Sequence, residues 1–109
     1  MVIMTLTKFC GNRMVVWIRS ILAYIQQNYR AEISRKSIAR ALGYTEAHIS
    51  RVFHRYLGVG LAEYINGLRL AYVKKLRANG DTRTTIELIY EAGFNSQQTY
   101  YRVKGKSNV

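Results

Sequence analysis

A chain of 109 residues, 49% of them hydrophobic, can bury a core, but only that of one domain or of two very small units on a shared helix. Lys and Arg outnumber Asp and Glu by 17 to 6, a formal net charge of +11, which points to a polyanionic partner and leaves little carboxylate for catalysis. The single cysteine excludes an internal disulfide, and no Cys/His spacing suits a metal.

Residues 1–13, MVIMTLTKFCGNR, are apolar but lack the basic n-region and cleavage site of a signal peptide, and read as an N-terminal arm. From residue 14 a helical period emerges. Met14, Ile18, Ile21, Leu22, Ile25 and Tyr29, with Trp17 beside them, predict a helix over 14–29 that backs the next two helices. Ser34 is the expected N-cap of a helix over 35–42, whose apolar face is Ile38, Ala39 and Leu42. Gly43 is expected in the left-handed conformation that ends a helix, and Tyr44 anchors the turn. Thr45 then caps a helix over 45–57 with Glu46 on its positive end. Ile49, Val52, Phe53 and Tyr56 form its expected buried face, leaving Ala47, Ser50, Arg51, His54 and Arg55 outside.

Two short helices on a glycine turn make a helix-turn-helix, although alone the pattern fits a plain α-hairpin equally well. After Gly58, a long helix is predicted over 61–78. Leu61, Tyr64, Ile65, Leu68, Tyr72 and Leu76 form its apolar stripe, and Arg69, Lys74, Lys75 and Arg77 make its exposed faces basic. At 1.5 Å per residue it is roughly 27 Å long. Asn79-Gly80-Asp81 is a turn.

The segment 84–104, TTIELIYEAGFNSQQTYYRVK, repeats the first unit. A shift of 50 residues lays Gly93-Phe94 on Gly43-Tyr44, and Arg102-Val103 then matches Arg51-Val52 with the turn one residue longer. The expected fold is therefore all-α. Helix-turn-helix subdomains over 14–59 and 80–109 are joined by a linker helix over 60–79. Such a chain, as a monomer, presents two helices to major-groove segments about 34 Å apart on double-stranded DNA. Ala47, Ser50 and Arg51 face bases in the first, and Asn95, Gln97, Gln98 and Arg102 in the second. Arg suits guanine, Gln suits adenine, and Ala touches a thymine methyl. Arg35, Lys36, Arg55 and Lys104 are candidate phosphate contacts. Against this, an exposed Arg is more often a solvated charge, Tyr100 and Tyr101 read as packing residues, and neither His48 nor His54 has a partner for metal or acid–base work.

The stretches SILAYIQQN (20–28), IARALGYTEAHISRVF (38–53) and GFNSQQTYYRV (93–103), with Tyr64-Ile65 and Arg69-Leu70, resemble the AraC/XylS family of bacterial transcription regulators. The likeness is to the stand-alone DNA-binding members of the MarA/SoxS/Rob type. It implies a monomer with two reading helices in adjacent major grooves, DNA bending, and activation by contact with RNA polymerase in the bacterial cytoplasm, at the nucleoid. The family's base-reading positions fall on Ala47, Ser50, Arg51, Gln97, Gln98 and Arg102. Three departures stand out. Ala47 and Ser50 replace Trp and Gln, which implies a different sequence preference. Ile89 replaces a small Ala, which must push the last two helices apart or be absorbed by a neighbour. Lys104 replaces a Phe, and the ending GKSNV lacks the family's final helix, so the resemblance implies a truncated C-terminus.

An enzyme is not expected: there is no nucleophile–base pair, paired carboxylates or phosphate-binding glycine loop, and no cofactor is implied. No uncharged run is long enough to span a membrane, and the apolar faces are needed for a core. The alternative to a DNA reader is a truncated relative acting mainly through protein–protein contact, with RNA polymerase or another regulator, and binding DNA weakly.

Overall fold

The computed structural model describes residues 13–107; the expected arm over 1–13 lies outside the described residues except for Arg13, which opens the first helix. Among the described residues the fold is all-α. The helices are α1 (Arg13–Asn28), α2 (Arg35–Leu42), α3 (Glu46–Leu57), α4 (Leu61–Ala78), α5 (Thr85–Glu91) and α6 (Gln97–Ser107). By internal packing they form two compact units. One holds the described residues up to Gln27 together with Ile33–Leu61; the other holds Asn28–Glu32 together with the chain from Ala62 onward.

In the first unit the buried side chains are Val15, Ile18, Ile21 and Ile25 from α1, Ile38 and Ala39 from α2, and Ile49, Val52 and Phe53 from α3. Ser34 caps α2 through a reciprocal pair: its hydroxyl accepts from the Ser37 amide, and the Ser37 hydroxyl accepts from the Ser34 amide. Gly43 ends α2 at φ 76°, a region that L side chains enter only at a cost. Thr45 caps α3 by accepting from the His48 amide at 3.1 Å. Tyr56, expected on the buried face, is 39% exposed. It falls in the last turn of α3, beyond the two turns that reach the core.

In the second unit, Leu70 and Val73 of α4 join Leu88, Ile89 and Ala92 of α5 and its C-cap, then Phe94 and Tyr100, in one cluster. Phe94 and Tyr100 meet edge to face at 5.5 Å. Ile89 is fully buried. The repeat explains how it is absorbed: Ala39 and Leu42 in the first unit become Ile89 and Ala92 in the second, so bulk moves from one position of the pair to the other. Thr84 and Glu87 cap α5 with the same reciprocal geometry as Ser34 and Ser37, 50 residues earlier. That T-x-x-E spacing is a helix start signal in its own right, independent of any apolar period.

The segment Asn28–Glu32 docks on the rest of the second unit through hydrogen bonds, an ion pair and ring contacts. Arg69 is buried, correcting its expected exposure: its guanidinium donates to the Tyr29 carbonyl at 2.7 Å and to the Ala31 carbonyl at 2.9 Å. Arg30 pairs with Glu91 and lies 4.5 Å over the Tyr72 ring. The backbone of Arg30 also passes so close to Gly93 that a Cβ there would sit 2.7 Å from the Arg30 carbonyl oxygen.

Before α5, the Asp81 carboxylate accepts from both the guanidinium and the backbone amide of Arg83, which together hold it down at about 2. A carboxyl depressed in the folded state stabilises above its unfolded value near 4 and loses that contribution as pH falls through about 2. The Asp81 carboxyl followed by NMR should therefore titrate near pH 2; a midpoint near 4 would mean that the Arg83 bonds do not persist in solution.

Candidate nucleic-acid interface

Each unit contains a helix whose inner side is fixed by the core, so its outer side is fixed as well. In α3, Ile49, Val52 and Phe53 are buried, while Ala47, Arg51, His54 and Arg55 are exposed. Ala47, Arg51 and His54 recur at helical spacing and share one stripe. His54 thus adds a turn to the candidate surface, although it has no catalytic or metal role to suggest it. Arg51 makes no side-chain hydrogen bond or ion pair among the described residues.

Ser50 is half-buried and differs from its neighbours: its hydroxyl accepts from the Arg35 guanidinium at 2.8 Å. A candidate base contact and a candidate phosphate contact are thus tied together across α2 and α3. The Ser50 hydroxyl keeps its own proton to donate. Arg35 and Lys36 occupy the first turn of α2 with no acidic residue there. Cations at the positive end of a helix are unfavourable unless an anion joins them.

The start of α3 is held by rings. His48 stands edge-on to Trp17 at 4.2 Å and to Tyr44 at 5.1 Å, and its Nε2 is buried without a hydrogen-bond partner. Its part is packing: it sets where α3 begins against α1 and the turn.

In α6 the same logic holds with weaker backing. Ser96 caps it by accepting from the Thr99 amide at 3.2 Å, at the repeat position of Thr45. Tyr100 is buried, at the repeat position of Ile49. Gln97, Gln98 and Arg102 are exposed, with Gln98 and Arg102 four residues apart on one stripe. Asn95 precedes the helix rather than lying on it. Lys104 is exposed, 5.9 Å from the Tyr100 ring centroid, where the first unit has the fully buried Phe53. Tyr101, expected as a packing residue, is 53% exposed although it stacks edge-on to Tyr100 at 4.9 Å. Arg51 and Arg102 occupy the same repeat position, six residues after their capping residues, and both are exposed without protein partners among the described residues.

Among the described residues no group of three His, Cys, Asp or Glu could hold a metal ion, and no helix is long and apolar enough to cross a membrane.

A family model described as a helix-turn-helix domain matches residues 38–106. The chain is 36% identical over 84 residues to the HTH-type transcriptional activator AarP of Providencia stuartii, a match covering 76% of this chain and 61% of that one. It is 29% identical over 92 residues to the multiple antibiotic resistance protein MarA of Escherichia coli (strain K12), covering 84% and 71% respectively. A solved structure of a protein of unknown function from Listeria innocua shares the fold at a TM-score of 0.77 and 18% identity, covering 84% of this chain and 88% of that one. The doubled motif, its capped helices and these relatives agree: the chain belongs to the AraC/XylS-type helix-turn-helix family of DNA-binding transcription regulators, not to a family of enzymes.

Proposed function

We propose that the chain reads a bipartite operator as a monomer, with α3 and α6 each entering the major groove, and that it activates transcription through contact with RNA polymerase. The observation that carries this reading is the equivalence of Arg51 and Arg102: two free guanidiniums at one position of a repeat, each on the wet face of a helix whose other face is core. Arg pairs bidentately with guanine O6 and N7. Ala47 and Ser50 in α3, and Gln97 and Gln98 in α6, flank these arginines as the remaining base contacts. Arg35, Lys36, Arg55 and Lys104 supply phosphate contacts. That AarP is named as a transcriptional activator supports the sign of regulation.

Site selection from a random duplex pool tests the proposal. A sequence with two conserved blocks is expected. Arg51→Ala should relax preference in one block at a cost of about 1–3 kcal/mol, and Arg102→Ala in the other. If Arg51→Ala selects the same sequence with equal stringency, α3 does not read bases through that residue.

One observation favours the second reading, in which protein contact dominates. Ile86 and Tyr90 stand one turn apart on α5, 46% and 50% exposed, where the first unit carries Lys36 and Arg40. An operator bound at nanomolar strength in physiological salt would remove the need for that reading.

A further inference from the structure

The second unit holds a cleft of about 310 Å³ lined by Val73, Lys74 and Arg77 of α4, Thr85 of α5, and Tyr100, Tyr101 and Lys104 of α6. Its chemistry is one-sided. Its lining residues carry two ammonium groups, a guanidinium, two phenols and a hydroxyl, and none carries a carboxylate. Arg77 is already committed: it donates to the Asp81 and Arg83 carbonyls at 3.1 and 2.8 Å and to the Thr85 hydroxyl at 2.8 Å. All three acceptors are neutral, so Arg77 makes no direct ion pair, although the Asp81 carboxylate is near enough to feel its charge. Thr85, having accepted from Arg77, keeps its own hydroxyl proton to give away. Lys74 has no ion-pair partner among the described residues. Lys104 leans on the Tyr100 ring at 5.9 Å, a weak hold for an exposed ammonium.

Two features say what this donor-rich cleft faces. Tyr101 and Lys104, both exposed, line it from α6, and Tyr101 directly precedes Arg102, so the cleft borders the stripe of Gln98 and Arg102 while Tyr100 and Lys104 carry it toward the helix's inner side. Thr85 and Tyr101 also stand at the repeat positions of Arg35 and Ser50, the pair that in the first unit links the start of one helix to the outer face of the next. Where the first unit supplies a cation from α2, the second has only Thr85 on α5, and α4 makes good the charge with Lys74 and Arg77.

We propose that this cleft seats a backbone phosphate of bound DNA: Lys74 and Lys104 are its ammonium donors, Thr85 and Tyr101 its hydroxyl donors, and Arg77 fixes Thr85 and adds charge. The proposal rests on the reading of α6 as a groove helix, and it adds α4 to the DNA-binding surface. A phosphate so held carries no sequence information; it sets the register of α6 on the duplex.

The test is a salt series of dissociation constants for the whole chain on its selected duplex. Each phosphate contact contributes about 0.9 to the slope of log affinity against log salt. Lys74→Ala/Lys104→Ala, which removes both ammonium donors to this one phosphate, should lower the slope by about one and either single variant by less, while the selected sequence stays the same. Lys75→Ala, on α4 but outside the cleft, should leave the slope unchanged, and circular dichroism should confirm that the variants fold. A double variant whose slope equals that of Lys75→Ala overturns the phosphate seat while leaving the DNA-reading function intact. Failure of the unaltered chain to bind any duplex overturns both. If inorganic phosphate shifts the Lys74 and Tyr101 resonances while the double variant keeps the original slope, the cleft holds a free anion, and the assignment to DNA falls.

Discussion

Gly93→Ala should destabilise the second unit by about 3–5 kcal/mol. Two costs combine. Gly93 sits at φ 104°, outside the regions that L side chains adopt with ease. The added Cβ would also meet the Arg30 carbonyl oxygen, Cα and carbonyl carbon at 2.7, 2.8 and 2.9 Å. These are backbone atoms and cannot rotate away. The segment Asn28–Glu32 must lift off, taking the Arg30–Glu91 pair and the acceptors of Arg69 with it. Gly43→Ala is the internal control: its φ is 76°, but nothing lies within 4 Å of the new Cβ, so only the conformational cost of about 1–2 kcal/mol remains. Urea denaturation of both variants, with amide exchange to assign the loss to one unit, separates the two costs. Equal losses would show that the approach of Arg30 to Gly93 does not matter in solution.

Arg69→Met should cost about 2–4 kcal/mol, again in the second unit. Arg69 is 6% exposed, and burial pushes its pKa below the usual value. Its two hydrogen bonds, at 2.7 and 2.9 Å, end on carbonyls of the segment between α1 and α2. Methionine fills similar space but leaves the Tyr29 and Ala31 carbonyls unpaired. Arg69→Lys keeps the charge and loses the two-pronged geometry, so its loss should be smaller than that of Arg69→Met but still measurable. A loss under 1 kcal/mol in Arg69→Met would mean that water replaces the guanidinium without penalty.

These two residues also mark the limit of what periodicity can show. The helices, their glycine stops and the caps Ser34 and Thr45 are legible in the sequence because each depends on neighbours within four residues. Arg69 falls on a wet face in any pattern that treats arginine as polar. Its true environment comes from two carbonyls 40 and 38 residues earlier in the chain. Leu70 and Val73 lie off the predicted stripe of α4 for a related reason: they pack on α5 and α6, a second face that one stripe cannot describe. Tyr56 fits the period of its helix but outruns the core. Gly93 is recognisable as a turn, whereas its close approach to Arg30 is a tertiary fact with no local trace. On the candidate interface the exposed stripes follow directly from the buried ones. The tie between Arg35 and Ser50 and the exposure of Tyr101 require coordinates, since both depend on which rotamers the neighbouring helix allows.

The division of the chain carries a consequence for how the protein can be cut. The second unit takes five residues, Asn28–Glu32, from the end of α1 and the stretch after it, and the first unit closes around that gap with Ile33–Leu61. The units are therefore interleaved in sequence even though each is compact in space. A break anywhere between residues 33 and 61 puts Arg69 and its acceptors on different pieces, and a break ahead of α3 also parts that helix from α1. No single cleavage leaves both units whole. Modular as the repeat looks on paper, a protease that nicks Ile33–Leu61 of the first unit also divides the second.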